Sequence, residues 1–376
     1  MSRNLAGQWI GRSTGDPLGL IVFDIDRGKH GWQGTAHLFP DDPDIAGSFI
    51  AFNLPEDASL TSLREEVRHF NPDTGQIFTD TQLYERYRGA PYPKYATIKS
   101  IELLTENEMK ADWASDIGTF GSGFLKRADP GKKSRIHAAP NVKTWDEFKR
   151  ELLTHKFGEH IYRGQSKDWP LQTSFHRANR TSLFRYLNED VPGLRRALSA
   201  HTKHHFDTND PDQFGAFMAL IQHHGYPTPL LDWTYSPFVA AWFALSEQLK
   251  DDDKNRSARI FCINKAALDR LNRFYNIALA PPHFSAIEPL TIENPRIGPQ
   301  QGLLTLTNVN DIEAHLLALE KQENCSLIHA YDIEVKNIEE ALNDLSLMGI
   351  TKSTLFPSID STLHDMKAKF FPNTST

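Results

Sequence analysis

The chain has 376 residues, of which 39% are hydrophobic and 24% are charged, and its formal net charge at pH 7 is -7. This length suggests two or three domains, and the composition is typical of a globular protein and excludes a disordered chain. The negative charge and the lack of a long basic block give no strong nucleic-acid signal and no attraction to an anionic membrane.

The sequence carries no targeting segment that we recognise. Residues 1–9 lack the apolar core of a secretory signal, and no apolar run is long enough to span a membrane. The two cysteines, Cys262 and Cys325, are too few for a disulfide scaffold or a cysteine-rich zinc site. We therefore expect a protein of the reducing cytoplasm with no membrane partner.

Residues 1–128 predict an antiparallel β-domain, either a barrel or a sandwich. Segments rich in β-branched and aromatic residues alternate with Gly, Pro and Asp clusters; they are 19–26, 34–38, 48–52 and 95–99. A tryptophan followed by glycines stands near each end of this region, at Trp9 and Trp113. This repeat predicts that the first and last strands pair and close a barrel. The region loosely resembles calycin-type barrels, and small barrels are more often filled by side chains than open to a ligand.

A polar Pro-Gly segment at residues 129–140 predicts a linker, after which residues 141–376 predict an α+β domain. Capping residues and apolar periodicity indicate its helices; these begin after 144–147 and at Ser236-Pro237, and span 182–206, 211–222, 311–322, 337–347 and 361–370. Apolar runs indicate strands at 160–164, 259–264, 303–307 and 327–335. Residues 226–235 predict a loop between two helices, and residues 251–254 predict a solvated loop.

Polar groups of several kinds stand in that first loop, next to apolar helices. Asp232 can accept a hydrogen bond from a sugar hydroxyl or orient a histidine. Trp233 can stack on a base or a nicotinamide ring, or it can fill the core, which is the usual fate of tryptophan. Thr234 precedes a helix whose N-terminus, capped by Ser236, offers free N–H groups to an anion.

Arg163 is a second candidate, on a predicted strand between Tyr162 and Gly164. Its guanidinium suits a phosphate or a carboxylate. Gly164 would let a ligand or another backbone approach closely. An ion pair of Arg163 with Asp232 or Glu159 is equally compatible with the sequence.

Histidines and glutamines complete the candidates. Adjacent residues on a helix point in different directions, so at most one of His223 and His224 can face a site. His201 and His205 have the spacing of a helical metal pair but no acidic partner at motif distance, so we predict no metal site. Gln300 and Gln301 precede a predicted strand. The sequence has no Walker, GxGxxG, GxSxG or HExxH motif and thus no signature of a kinase, Rossmann dehydrogenase, α/β-hydrolase or zincin.

The motif Tyr162-Arg163-Gly164 resembles that of the FRG domain family, a bacterial and phage-associated group named for its Phe/Tyr-Arg-Gly motif. Further matches follow in the family's order over about residues 140–370; they are Gln165, Ser174, Gln222–Gly225, Pro227-Thr228, Leu230–Thr234, Ser236-Pro237, Ala240–Ala244, Arg296, Gln300 or Gln301 with Gly302, and Leu355–Pro357.

The same pattern is more distantly similar to ADP-ribosyltransferases, and this resemblance implies their fold and NAD as the substrate. It implies NAD-binding roles for Arg163, Gly164, Gln165, His224, Trp233, Thr234 and Ser236, and catalytic roles for Gln300, Gln301 and Asp232. A glutamate usually activates the acceptor in this superfamily, whereas glutamine cannot take a proton. Glu288 and Glu293 are nearby alternatives.

Three functions follow from these residues. The resemblance implies a bacterial effector, in phage defence or a toxin-like system, that binds a nucleotide and transfers ADP-ribose to a protein target or hydrolyses NAD, with the barrel as sensor or partner module. The alternative is a non-catalytic module that recognises a nucleotide or a protein. The third is a metal hydrolase using His201, His205 and His223. For the first, Arg163, Asp232, Thr234 and Gln300 or Gln301 should line one concave pocket.

Overall fold

The computed structural model describes residues 4–56, 62–87, 92–247, 257–271, 278–334 and 338–371. Within these ranges the chain forms two antiparallel sheets, with helices packed mainly around the second. The predicted loop at 251–254 lies outside the described residues. Among the described helices, none is long and apolar enough to cross a membrane.

The first sheet is a nearly closed antiparallel barrel. Its strands in the described ranges are β1 (Gly7–Ser13), β2 (Gly19–Gly28), β3 (Gly31–Pro40), β4 (Gly47–Pro55), β5 (Leu63–Glu66), β6 (Arg68–Phe70), β7 (Tyr95–Thr105), β8 (Glu108–Ser115) and β9 (Phe120–Arg127). Their order is β5-β7-β8-β9-β1-β2-β3-β4-β6, so the two edge strands are consecutive in sequence. β1 pairs with β9, with Trp9 opposite Arg127, which confirms the predicted pairing of first and last strands.

The barrel interior follows the two-residue alternation of its strands. Trp9, Phe23 and Ile25 are buried inside it, and the Trp9 indole donates to the carbonyl of Leu5 at 2.9 Å. A small apolar cavity of about 110 Å³ remains among the inward side chains. A short helix, α1 (Asp80–Arg86), follows β6; the sequence did not predict it.

The second sheet has the order β13-β14-β11-β10-β12-β15. Its strands are β10 (His160–Gln165), β11 (Leu230–Thr234), β12 (Ser257–Asn264), β13 (Phe284–Ile287), β14 (Gly302–Thr307) and β15 (Ile328–Glu334). The prediction of a loop at 226–235 is wrong for the part that forms β11. Leu230, Leu231 and Trp233 are buried there, and β11 lies between β10 and β14. A strand of five residues next to two prolines has too short a pattern to be separated from a turn.

Helices cover this sheet on both faces. They are α2 (Trp145–Leu152), α3 (Ser174–Arg177), α4 (Leu183–Arg185), α5 (Val191–Leu198), α6 (Pro211–His223), α7 (Pro237–Ser246), α8 (Lys265–Leu271), α9 (Ile312–Glu323), α10 (Ile338–Leu347), α11 (Lys352–Leu355) and α12 (Ile359–Phe370). The helix predicted at 182–206 is wrong in its extent. It contains a π-helical turn at Tyr186–Asp190 and ends at Leu198, because residues 199–205 offer no large apolar side chain to bury.

The barrel packs on the α+β region through β1, β2 and β4. The carboxylate of Asp26 is fully buried and accepts hydrogen bonds from the backbone of Thr181 at 2.7 Å and from Nε of Arg180 at 2.9 Å. Gln8 accepts from the backbone of Asn310 at 3.0 Å. The rings of Phe49 and Phe184 lie 5.3 Å apart across this contact. Strands β1, β2 and β4 therefore anchor the barrel to the rest of the chain.

Residues 129–140, which the sequence predicts as a linker, run along the second sheet. The backbone of Ala139 donates to the carbonyl of Ala330 at 2.9 Å, and Ile136 is buried in the core of that sheet. The side chain of Arg135 pairs with Asp311 at 2.7 Å. This segment is therefore bonded to the α+β region over much of its length.

Asp24 gives a pH-dependent prediction for stability. Burial raises the pKa of its carboxyl to about 8, although Gln8 donates a hydrogen bond to it. An acid with a higher pKa in the folded state keeps a proton that the unfolded chain loses, so the free energy of unfolding falls as pH rises from about 4 to about 8. Asp24→Asn removes this titration and keeps the acceptor for Gln8. In urea unfolding we expect the variant to gain stability over wild type progressively across this window, and a constant difference would contradict the assignment.

Candidate functional site

A cavity of about 850 Å³ opens beside the single paired position of β10 and β11, Tyr162 with Thr234, and extends to the beginning of β14. Its wall includes Arg163–Gln165, Asp232–Thr234 and Gly302–Leu304 from these strands, together with one face of α7. This volume is within the range of small-molecule and cofactor sites. The three sequence motifs that are far apart in the chain therefore meet at one place.

The structure brings most of the predicted site residues together and leaves three outside. Those that line the cavity are Arg163, Gly164, Gln165, Asp232, Trp233, Thr234 and Gln300. Ser236 does not, because it caps α7 and its hydroxyl accepts from the backbone of Val239. Gln301 has a positive φ of 46° and its side chain is exposed away from the cavity. His224 is the exposed C-cap of α6, and its neighbour His223 lines the cavity instead.

Arg163 is held at the cavity wall by a backbone contact. Its Nη1 donates to the carbonyl oxygen of Asp232 at 2.8 Å, and its Nε lies 3.5 Å from the amide oxygen of Gln165. The ion pairs that the sequence left open are not formed in the described residues, since Glu159 pairs with Lys156 at 3.8 Å. Burial lowers the pKa of Arg163, Asp232 opposes this shift, and Arg177 adds to it.

Asp232 is oriented by a chain of hydrogen bonds. Its Oδ1 accepts from Nε2 of Gln222 at 2.7 Å, and the amide oxygen of Gln222 in turn accepts from the hydroxyl of Thr228. The backbone of Thr228 donates to the hydroxyl of Ser174 at 3.0 Å. Asp232 is itself exposed to the cavity. Its carboxylate is therefore fixed in direction while its second oxygen can accept from a ligand hydroxyl.

Gly164 serves the approach of a helix. A Cβ built on Gly164 would lie 1.9 Å from the carbonyl oxygen of Ala240 and 2.9 Å from the backbone nitrogen of Ala244. The backbone of α7 thus rests directly on β10. The sequence had left open whether a ligand or a backbone approaches this glycine.

Thr234 and Gln300 hold the cavity wall. The hydroxyl of Thr234 donates to the carbonyl of Gln300 at 2.7 Å and accepts from the backbone of Ser236 at 2.9 Å. Nε2 of Gln300 donates to the carbonyl of Leu355 at 3.0 Å. Trp233 is 3% exposed, and its indole donates to Thr305 at 2.9 Å, so it fills the core beneath the cavity.

The predicted anion site at the start of α7 is not part of the cavity. The cavity touches the side of that helix through Ala240, Phe243 and Glu247. Ser236 satisfies the first turn with its own side chain. The helix dipole therefore points past the cavity.

Three ionic side chains at the cavity, Arg177, Lys132 and Glu247, were missed from the sequence, whereas Arg296 was named there as part of the motif match. Arg177 on α3 donates to the carbonyl of Gln172 at 2.6 Å, and Arg296 stacks 5.0 Å from the ring centre of Phe356. Lys132 and Glu247 also line the wall. Glu247 could have been found, because it lies at helical spacing from Ala240 and Phe243 on one face of α7.

The carboxylates predicted as alternatives lie elsewhere. Glu288 accepts a hydrogen bond from the hydroxyl of Tyr235, and Glu293 accepts from the backbone of His204. Neither lines the cavity, where the wall carboxylates are Asp232 and Glu247. The described residues contain no group of three His, Cys, Asp or Glu side chains placed to hold a metal ion.

Comparison with known proteins identifies one part of the chain. Residues 158–253 match the family model of the FRG domain, so the chain contains an FRG domain, as the motif at Tyr162-Arg163-Gly164 predicted. The described part of this match runs from β10 to the end of α7 and supplies two walls of the cavity.

Comparisons with curated proteins and with solved structures identify no further family. No curated protein matches the chain in sequence. Among solved structures, two redesigned β-barrels are similar at 13% identity and a TM-score of 0.22. One is mFAP1 bound to DFHBI, covering 33% of this chain and 94% of that chain; the other is b11L5F_LGL, covering 34% and 98%.

The contact at Gly164 gives a stability prediction. Gly164→Ala forces β10 and α7 apart, so we expect a loss of about 1–3 kcal/mol in the free energy of unfolding, as for other overpacked positions. Gly193→Ala is the control, because nothing lies within 4 Å of its added Cβ and it is in helix α5. There, alanine should be neutral or stabilising by up to about 1 kcal/mol. Urea unfolding of both variants measures the difference, and equal effects would contradict the close contact.

Proposed function

We propose that this cavity binds a nucleotide through its phosphate groups, with NAD as the ligand. The observation that carries the proposal is the pair Arg163 and Arg177. Burial lowers the pKa of both guanidinium groups, although the Arg177 side chain is exposed and Asp232 opposes each shift, and within the described residues neither forms an ion pair. The two guanidinium groups repel each other and have Asp232 as a shared nearby carboxylate, and an anion between them would relieve the remaining repulsion. Guanidinium forks suit phosphate oxygens.

Other parts of the cavity match the rest of such a ligand. Asp232, fixed by Gln222, can accept from a ribose hydroxyl. The rings of Phe243 and Phe356, 5.8 Å apart, and the half-exposed ring of Trp169 offer apolar surfaces to a base or a nicotinamide ring. Arg296, stacked on Phe356, adds a third guanidinium.

The reaction that fits these groups is cleavage of the nicotinamide–ribose bond. The bond breaks with its electron pair going to nicotinamide, which leaves an oxocarbenium-like ribose that water or a protein nucleophile attacks. The attacking group loses a proton to a carboxylate that acts as a base, and Asp232 and Glu247 are the carboxylates of the cavity wall. The resemblance to ADP-ribosyltransferases supports this chemistry, and an effector role in phage defence or a toxin-like system is part of the same proposal.

A second candidate is a non-catalytic nucleotide-binding module. Thr234 and Gln300 occupy positions that the resemblance assigns to NAD binding and catalysis. Both are engaged in hydrogen bonds to the backbone of the wall. These bonds favour a site that binds a nucleotide without turning it over.

NAD binding to the purified chain tests the shared part of both candidates. By calorimetry, we expect Arg163→Gln and Arg177→Gln each to weaken binding about tenfold or more, because a hydrogen bond to a charged group contributes about 1.5–3 kcal/mol. Arg150→Gln is the control, since Arg150 is exposed on α2 and bonds only to a local carbonyl. Thermal unfolding verifies that the variants are folded. Absence of NAD binding to the wild-type chain would contradict the proposal.

Release of nicotinamide separates the enzyme from the binding module. For an enzyme, Asp232→Asn or Glu247→Gln should lower the rate about 100-fold or more and change NAD affinity only a few-fold, since the missing group is the proton acceptor. For a binding module, the wild-type chain binds NAD and releases no nicotinamide. Chromatography of nicotinamide measures the rate. Wild-type turnover in both variants would show that neither carboxylate acts.

A further inference from the structure

Helix α12 carries its apolar side chains on the outside of the molecule. Ile359, Leu363, Met366 and Phe370 are 80%, 62%, 44% and 61% exposed, and they form one stripe along the helix. The opposite face is polar: Ser361 is buried, and Asp365 accepts from the backbone of Ser353 in α11 at 2.8 Å. A surface helix normally buries its apolar stripe, so this orientation is reversed.

The spacing of the stripe fits a second helix. Its residues follow one another at intervals of four, three and four, which is the pattern of a two-helix seam. The helix has 12 residues and is therefore about 18 Å long, enough for three turns of contact. A contiguous exposed stripe of this kind marks an interaction surface.

The charges beside the stripe identify the occupant. Asp360 and Lys367 lie on the same flank of the stripe, one near each end of the helix. In an antiparallel pair related by a two-fold axis, the same flank of each helix meets that of its partner. Asp360 then lies beside Lys367 of the second copy, and the reverse pair forms at the other end. In a parallel pair this flank would instead face the opposite flank of the partner, which carries Thr362 and Lys369, so Asp360 and Lys367 of two copies would not meet.

We propose that two copies of this chain associate through antiparallel α12 helices. Ile359 packs against Phe370 of the second copy, Leu363 packs against Met366 of the second copy, and each contact occurs twice. An anionic membrane fits this helix less well, because Asp360 flanks the stripe and the whole chain has a net charge of -7. No residue of the stripe lines the nucleotide cavity, so this association does not depend on the proposed function.

Sedimentation velocity of the full chain over a range of concentrations tests the association. We expect a monomer–dimer equilibrium for the wild type. Leu363→Glu places two carboxylates in the seam, so we expect it to raise the dissociation constant of the dimer at least 100-fold. Leu153→Glu is the matched control, because Leu153 is 86% exposed at the end of α2 and lies outside the stripe. A wild-type chain that stays monomeric at every concentration, or a dimer that Leu363→Glu leaves intact, would overturn the proposal.

A charge exchange tests the antiparallel geometry. At low salt, Asp360→Lys and Lys367→Asp should each weaken the dimer, and the double variant should restore it. The two side chains are seven residues, about 10 Å, apart on one helix and do not touch each other, so restoration reports a contact between copies. Loss of the dimer in the double variant would overturn this arrangement. Binding of a monomeric wild-type chain to vesicles of anionic lipid would replace the second copy with a membrane as the occupant.

Discussion

The site depends on one close contact, that between Gly164 and the carbonyl of Ala240. Because residue 164 has no side chain, α7 lies against β10 with its backbone, and small residues at Ala240 and Ala244 continue the contact. This approach places Phe243 and Glu247 beside Arg163 at the cavity. Any larger residue at position 164 would push α7 outward and widen the cavity on the side of Glu247. The glycine of the FRG motif is therefore a packing requirement, and the arginine next to it is the group that we propose binds a ligand.

A second constraint is the polar network that reaches Asp232. It runs from Ser174 through Thr228 and Gln222, and Tyr226, two residues before Thr228, donates to Asp190 at 3.2 Å. Asp190 shares Arg180 with the buried Asp26 of the barrel. Hydrogen bonds and a short backbone segment thus connect the barrel to the carboxylate of the cavity. Ser174 and Thr228 match the FRG motif but do not line the cavity. This network explains their place in the motif, because they orient Asp232 through Gln222.

The sequence predicted elements with long patterns and clear caps. The pairing of β1 with β9, the strand at Arg163 and helices α6, α7 and α9 lie where periodicity and capping place them, within a few residues. β11 was missed because a strand of five residues between prolines resembles a turn. Arg177 and Lys132 reach the cavity through tertiary packing, which no local pattern carries. Gln301 and His224 were predicted beside true wall residues, but the positive φ of Gln301 and the helix end at His224 turn their side chains away.

The balance of charge at the cavity decides what the site can do with a ligand. Its cations outnumber its carboxylates, and the two arginines on β10 and α3 form no ion pair among the described residues, so we expect an anion to stabilise the wall. Catalysis also requires a carboxylate near the reacting carbon that can accept a proton. Gln300 cannot supply this, because an amide does not take a proton and its nitrogen is already bonded to Leu355. If the site turns NAD over, the proton acceptor must come from β11 or from α7. The resemblance implies catalytic roles for Gln300 and Gln301, just before β14, whereas the wall carboxylates are Asp232 on β11 and Glu247 at the end of α7.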